Sequence, residues 1–180
     1  MSSYDVGKEQ VIAWIGKNFR PGETCLDVGA CDGKWHTLVG NYLKMDAVEI
    51  YEPYIIVYEL KDKYEKVFHT DIFDLEYSYY DLILFGDVIE HMTVERAQKV
   101  IEYAYPRCRD MMIAVPYQFK QGEMRGNKWE AHIQDDLTHE LFMERYPGFK
   151  LLYRIPGYAY YTKDTESERY NSYRFRRNNK

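Results

Sequence analysis

The chain has 180 residues and a formal net charge of −5, a length that supports one domain with a substantial core and leaves little room for a second. The acidic balance argues against a dedicated nucleic-acid binder, and against DNA above all, since such proteins carry a basic surface. Cys25, Cys31 and Cys108 form no C-x-x-C pair and are odd in number, so they read as reduced thiols of a cytoplasmic protein and not as a disulfide framework. No apolar run approaches the ~20 residues that span a bilayer, and the first residues lack the basic flank and apolar stretch of a signal peptide.

The first predicted element is a helix. Val11, Ile12, Trp14, Ile15 and Phe19 recur at helical spacing, with Ser3 or Asp5 available as cap and Pro21-Gly22 as the stop. Thr24 to Val28 is a short apolar run broken by glycine, as expected of a buried parallel strand. A helix is expected from about Lys34 to Tyr42, a second strand over Ala47 to Ile50, and a helix opened by Pro53 and running to about Leu60. Lys66 to Thr70, Asp81 to Phe85 and Met111 to Val115 supply three more strands. Before the last of these lies an amphipathic helix, capped by Thr93, with Ala97, Val100, Ile101 and Ala104 on one face and Pro106 as its end. A helix over Thr138 to Tyr146 precedes a hairpin, Lys150 to Ile155 and Tyr158 to Thr162, turned by Pro156-Gly157. The alternation implies an α/β, Rossmann-like, doubly wound sheet of seven mostly parallel strands with an antiparallel C-terminal hairpin. One domain is expected over residues 1–163, followed by a flexible polar tail, 164–180, ending Arg174-Phe175-Arg176-Arg177-Asn178-Asn179-Lys180.

In an open parallel sheet, ligands bind beyond the carboxyl ends of the strands at the switch in strand order. Chemistry-bearing residues fall at those ends in succession. Gly29-Ala30-Cys31-Asp32-Gly33 follows the first strand, where glycine lets backbone approach a ligand. Glu49 ends the second, suited to a pair of ribose hydroxyls. Asp71-Ile72 follows the third, offering a carboxylate to an exocyclic amine and an apolar side chain to a ring face. Gly86-Asp87-Val88-Ile89-Glu90-His91 follows the fourth. The loop is not G-x-G-x-x-G, and its acids, Asp27 and Asp32, would repel a pyrophosphate while tolerating a positively charged sulfonium.

These motifs, in this order, resemble the class I S-adenosylmethionine-dependent methyltransferases, over about Thr24 to Pro116 and more loosely to the hairpin. The resemblance implies cofactor contacts from Asp27, Gly29, Ala30, Asp32, Gly33, Glu49, Asp71, Ile72, Gly86 and Asp87. The pattern D-V-I-E-H is closest to that of small-molecule O-methyltransferases, and no Asn/Asp-Pro-Pro-Tyr sequence is present to favour an amino acceptor.

On the acceptor side, His91 and His132 are candidate general bases, with Asp87 as the third catalytic candidate. The same residues allow a second reading. Asp87, Glu90, His91 and His132 resemble the divalent-metal site of small-RNA 2′-O-methyltransferases and some ubiquinone-pathway enzymes, which would hold Mg²⁺ or Mn²⁺ if a helical turn follows the fourth strand. Tyr117, Phe119 and Trp129 offer an aromatic wall, with packing over the sheet edge as the plainer role. The expected acceptor is a small molecule or sugar. RNA or protein methylation through the basic tail, a non-catalytic cofactor-binding role and a homodimer are the alternatives.

Overall fold

The computed structural model describes residues 5–165. Seven strands form one sheet in the order β3-β2-β1-β4-β5-β7-β6. They span Thr24–Val28 (β1), Lys44–Glu49 (β2), Lys66–His69 (β3), Tyr80–Gly86 (β4), Cys108–Pro116 (β5), Phe149–Ile155 (β6) and Tyr158–Lys163 (β7). β1 to β5 pair in parallel, whereas β7 runs antiparallel to both β5 and β6. The chain order therefore reverses between β1 and β4, and that is where a ligand crevice belongs.

The central strands are apolar on both faces, as a sheet covered on both sides requires. Along β4, Ile83 and Phe85 face one core, while Leu82 and Leu84 face the other; Met111, Ile113 and Val115 of β5 join the first, and Met112 and Ala114 the second. The first core is covered by α5 (Val94–Ala104) and α6 (His139–Arg145). The second is covered by α1 (Lys8–Asn18), α2 (Lys34–Val39), α3 (Glu52–Val57) and α4 (Leu60–Lys63). α5 buries the four residues of its apolar face, Ala97, Val100, Ile101 and Ala104. Its Thr93 hydroxyl accepts a hydrogen bond from the Arg96 backbone N–H at 3.3 Å, which satisfies one of the orphan donors of the first turn.

Three local expectations change. α1 begins after Gly7, a left-handed residue with no side-chain cap, and Asp5 instead reaches Lys34 at 2.5 Å. Gly7 is dictated by space as well as conformation, because a Cβ there would lie 2.6 Å from the Tyr160 ring. The expected helix after Pro53 is split into α3 and α4 by Glu59 at φ 51°. Lys163, one residue past the expected end of the hairpin, is a buried residue of β7 whose ammonium donates to the carbonyls of Tyr105 and Cys108. The arginine-rich end of the tail lies outside the described residues. Among the described residues, no helix is long and apolar enough to cross a membrane.

Candidate active site

A cavity of about 710 Å³ opens at the carboxyl ends of β1, β2, β4 and β5, a size typical of small-molecule sites. Two of its lining residues, Cys31 and Asp87, are non-glycine residues held at positive φ, 48° and 58°. Such strain collects where a ligand must be met by backbone. Burial pushes the Cys31 thiol up to about 12, which keeps it uncharged in the wall.

The loop after β1 contributes Gly29, Ala30, Cys31 and Asp32 to the lining, but neither Asp27 nor Gly33. Strand alternation explains Asp27. Leu26 and Val28 face one core, so Asp27 faces the other, where its carboxyl accepts a hydrogen bond from the buried Tyr64 hydroxyl at 2.6 Å. Burial raises the Asp27 carboxyl to about 7, and the Tyr64 bond works against that rise. Asp27 thus sits beneath the loop, and its carboxyl does not line the cavity. Gly33, at φ 75°, precedes α2 and backs the loop against Lys63.

The argument from charge survives on other residues. Asp32, Glu49, Asp71, Asp87, Glu90 and Glu130 line the cavity beside Lys34, Arg96 and Lys128, so acids outnumber bases there, an excess that suits a sulfonium better than a pyrophosphate. Glu49 is nearly fully buried, and its two oxygens accept from the backbone N–H groups of Cys31 and Tyr51 at 2.9 and 2.8 Å. Each oxygen keeps a further lone pair, which suits two vicinal hydroxyls. Burial pushes the Glu49 carboxyl up, opposed by those backbone bonds. At the next strand end, Asp71 accepts from the Phe73 N–H at 2.9 Å and pairs with Arg96, while Ile72 lines the cavity as a buried apolar surface. Asp71 therefore enters the site as an ion-paired carboxylate that also shapes the turn.

Across the crevice, β4 extends to Gly86. A Cβ at Gly86 would fall 2.2 Å from Trp35 Nε1. That indole N–H is buried and has no hydrogen-bond partner among the described residues, and Trp35 lines the cavity. A buried orphan donor at a cavity wall is a group that a ligand acceptor would satisfy.

After Gly86, Asp87 turns to accept a hydrogen bond from the Tyr158 hydroxyl of β7. Burial raises its carboxyl to about 6, against the effect of that bond. A single 3-10 turn, Ile89–His91, follows in place of an α-helical turn. Asp87 is not in the cluster formed by Glu90, His91 and His132, whose ligand atoms lie within 4.8 Å of one another. Of the four residues named as possible metal ligands, Glu90, His91 and His132 come together and Asp87 does not join them. Glu90 is 0% exposed, and neither carboxylate oxygen has a hydrogen-bond partner among the described residues. Burial, with Asp87 nearby, drives its carboxyl well above the usual range. The two imidazoles are oriented by backbone: His91 Nδ1 meets the Ala131 carbonyl at 3.2 Å and His132 Nδ1 meets the Phe119 carbonyl at 2.8 Å. A carbonyl only accepts, so both Nδ1 atoms carry the proton and Nε2 holds the lone pair on each ring. His91 Nε2 lies 4.0 Å from Glu90 Oε1. Burial lowers both rings, His91 to about 4, which keeps them neutral.

Among the lining residues to which the sequence assigned no role are Trp35, Tyr158 and Glu130. Trp35 was legible as a helical apolar position, yet nothing nearby in sequence marks its partner Gly86, 51 positions on. Glu130 is brought in by a 3-10 turn, Lys128–Glu130, and its carboxylate and carbonyl accept from Gln121.

By sequence, no protein family and no curated protein matches the chain. Solved structures do match it in three dimensions. An S-adenosylmethionine-dependent methyltransferase from Clostridium acetobutylicum superposes with a TM-score of 0.65 at 10% identity, over 86% of this chain and 88% of that one. The 1,6-didemethyltoxoflavin-N1-methyltransferase of Burkholderia thailandensis, with its acceptor and S-adenosylhomocysteine bound, gives 0.64 at 16% identity over 87% and 76%. The magnesium protoporphyrin IX methyltransferase of Synechocystis with bound S-adenosylhomocysteine gives 0.62 at 16% over 86% and 79%. The chain has the class I S-adenosylmethionine-dependent methyltransferase fold.

Proposed function

We propose that this chain is an S-adenosylmethionine-dependent methyltransferase, carried on a single domain over residues 1–163, and that it methylates a hydroxyl of a small-molecule acceptor. The observation that carries this reading is the continuity of one cavity from the Glu49 carboxylate, past the Gly86–Trp35 wall, to the cluster of Glu90, His91 and His132. The residues fit the cofactor: a carboxylate with spare lone pairs for a ribose, an orphan indole N–H, a glycine that keeps the wall clear, and an acid-lined crevice for a sulfonium.

Methyl transfer is an in-line displacement at an already activated carbon, so holding acceptor and donor in register does most of the work. Glu49 and Ile72 would fix the nucleoside half, and Gly29 and Gly86 allow close approach on either side. The acceptor's hydroxyl must lose a proton. Glu90, His91 and His132 would hold a divalent cation, Mg²⁺ or Mn²⁺, which when bound lowers the pKa of a hydroxyl and neutralises the buried carboxylate. The backbone carbonyls of Ala131 and Phe119 fix which imidazole nitrogen is presented, the usual arrangement for histidine ligands. Asp87, held by Tyr158, would orient the acceptor beside this group. Comparative activity with and without EDTA, using tritiated S-adenosylmethionine and an acceptor panel, tests the reading. Transfer that survives chelation would remove the cation and leave His132 or Asp87 as base. Cofactor binding without transfer to any acceptor would favour a non-catalytic role.

A further inference from the structure

We infer that the acceptor is a planar aryl compound carrying its hydroxyl at one edge, and not a sugar. This rests on the methyltransferase reading above and narrows it to a substrate class. The acceptor half of the cavity is walled by the segment after β5, where Phe119, Trp129 and Ile133 keep 44%, 43% and 57% of their surface exposed while lining the cavity. Large apolar side chains left open around one mouth mark a surface that expects an apolar occupant. From that mouth, rings lead inward edge to face: Phe119 to His132 with centroids 5.5 Å apart, then His132 to His91 at 4.7 Å. The inner end is Glu90.

Several polar groups of this wall are bound by the protein itself, and Lys128 sets its ammonium over the Trp129 ring. Gln121 donates to the Glu130 carbonyl at 2.8 Å, and each histidine donates through Nδ1 to a backbone carbonyl. At the inner end, the Glu90 carboxylate and the second nitrogen of each imidazole are left to a ligand among the described residues, with Asp87 also lining the cavity. A hexose carries hydroxyls all around its ring, and each one taken from water without a partner is unfavourable. An aryl ring needs no such partners. It stacks against faces and edges of other rings and delivers one polar edge to the inner end.

The test uses the full-length protein saturated with S-adenosylhomocysteine, with binding first verified by calorimetry. Phenol, catechol, 2-naphthol and caffeate are then titrated against methyl α-glucoside and methyl β-galactoside. At least one aryl probe is expected to bind about tenfold or more tighter than either glycoside. Phe119→Ala and Trp129→Ala should each weaken aryl binding by about three- to tenfold without changing S-adenosylhomocysteine affinity, and Trp129→Phe, which keeps a ring, should restore it. Glycosides binding as tightly as the aryl probes, no aryl probe binding, or alanine variants with unchanged aryl affinity would each overturn the inference. Failure of S-adenosylhomocysteine to bind would remove the methyltransferase reading itself, and with it this one.

Discussion

Replacing Gly86 by alanine separates a cofactor wall from ordinary packing. The new Cβ would sit 2.2 Å from Trp35 Nε1, 3.0 Å from Cδ1 and 3.3 Å from Cε2. Contact between carbon and nitrogen needs about 3.5 Å, so the ring must retreat by roughly 1 Å. Trp35 is only 4% exposed and packs in the core under α1 and α2, so it has little freedom to do so. Overpacking of this kind costs about 1–3 kcal/mol. In a chain of this length, 2 kcal/mol lowers the melting temperature by roughly 4–8 °C. Because the displaced indole lines the cavity, S-adenosylhomocysteine affinity should fall by about tenfold or more. Differential scanning fluorimetry and calorimetry on G86A read the two effects separately. Gly16→Ala is the control: nothing lies within 4 Å of its Cβ position, and in the exposed interior of α1 it should add up to about 1 kcal/mol of stability with binding unchanged. A G86A protein that melts lower but binds as tightly would show that Gly86 serves packing alone. One that melts as wild type would refute the Trp35 contact.

Other consequences can be checked alongside. For Asp27, the folded carboxyl at about 7 lies above its ordinary 3.8, so the folded state holds the proton longer and stability declines as pH rises from about 4 through 7. Asp27→Asn should flatten that decline in urea melts taken at several pH values, and should keep S-adenosylhomocysteine affinity because the residue faces Tyr64. A variant that loses cofactor binding would restore Asp27 to the site. Tyr64→Phe leaves the buried carboxyl without its donor and should cost about 1–3 kcal/mol, visible as a lower denaturation midpoint; an unchanged midpoint would count against the bond. Thr93→Ala removes the α5 cap at about 1 kcal/mol, read as a lower denaturation midpoint. His91→Ala and His132→Ala should each weaken Mn²⁺ binding, measured by electron paramagnetic resonance on the cofactor-free protein, by about tenfold or more. Equal Mn²⁺ affinity in both variants would dissolve the proposed site.

The sheet and its ligand edge were readable because parallel strands buried on both faces leave unbroken apolar runs, and because the glycines and acids that end them stand next to those runs. Glu49 and Ile72 arrived where the strand ends put them. Asp27 did not, although period-2 alternation with Leu26 and Val28 contains the answer: a polar residue flanked by two core residues must face the opposite side. Asp87 was misread for a different reason. A turn of α-helix after β4 would have aligned it with Glu90 and His91, but its left-handed backbone and the Tyr158 hydroxyl, 71 residues on, turn it elsewhere. His132 was identified, while Glu130 two residues earlier was not, because the long segment after β5 has no periodicity to say which side chains point inward. Contacts across more than 40 residues, such as Gly86 with Trp35, leave no local trace at all.

The central claim is that this crevice binds S-adenosylmethionine and not a dinucleotide. Calorimetric titration of the full-length protein with S-adenosylhomocysteine and, separately, with NAD tests it directly. The account predicts one S-adenosylhomocysteine per chain at a dissociation constant of about micromolar and no measurable heat from NAD. NAD binding at comparable affinity, or no binding of S-adenosylhomocysteine, would contradict it.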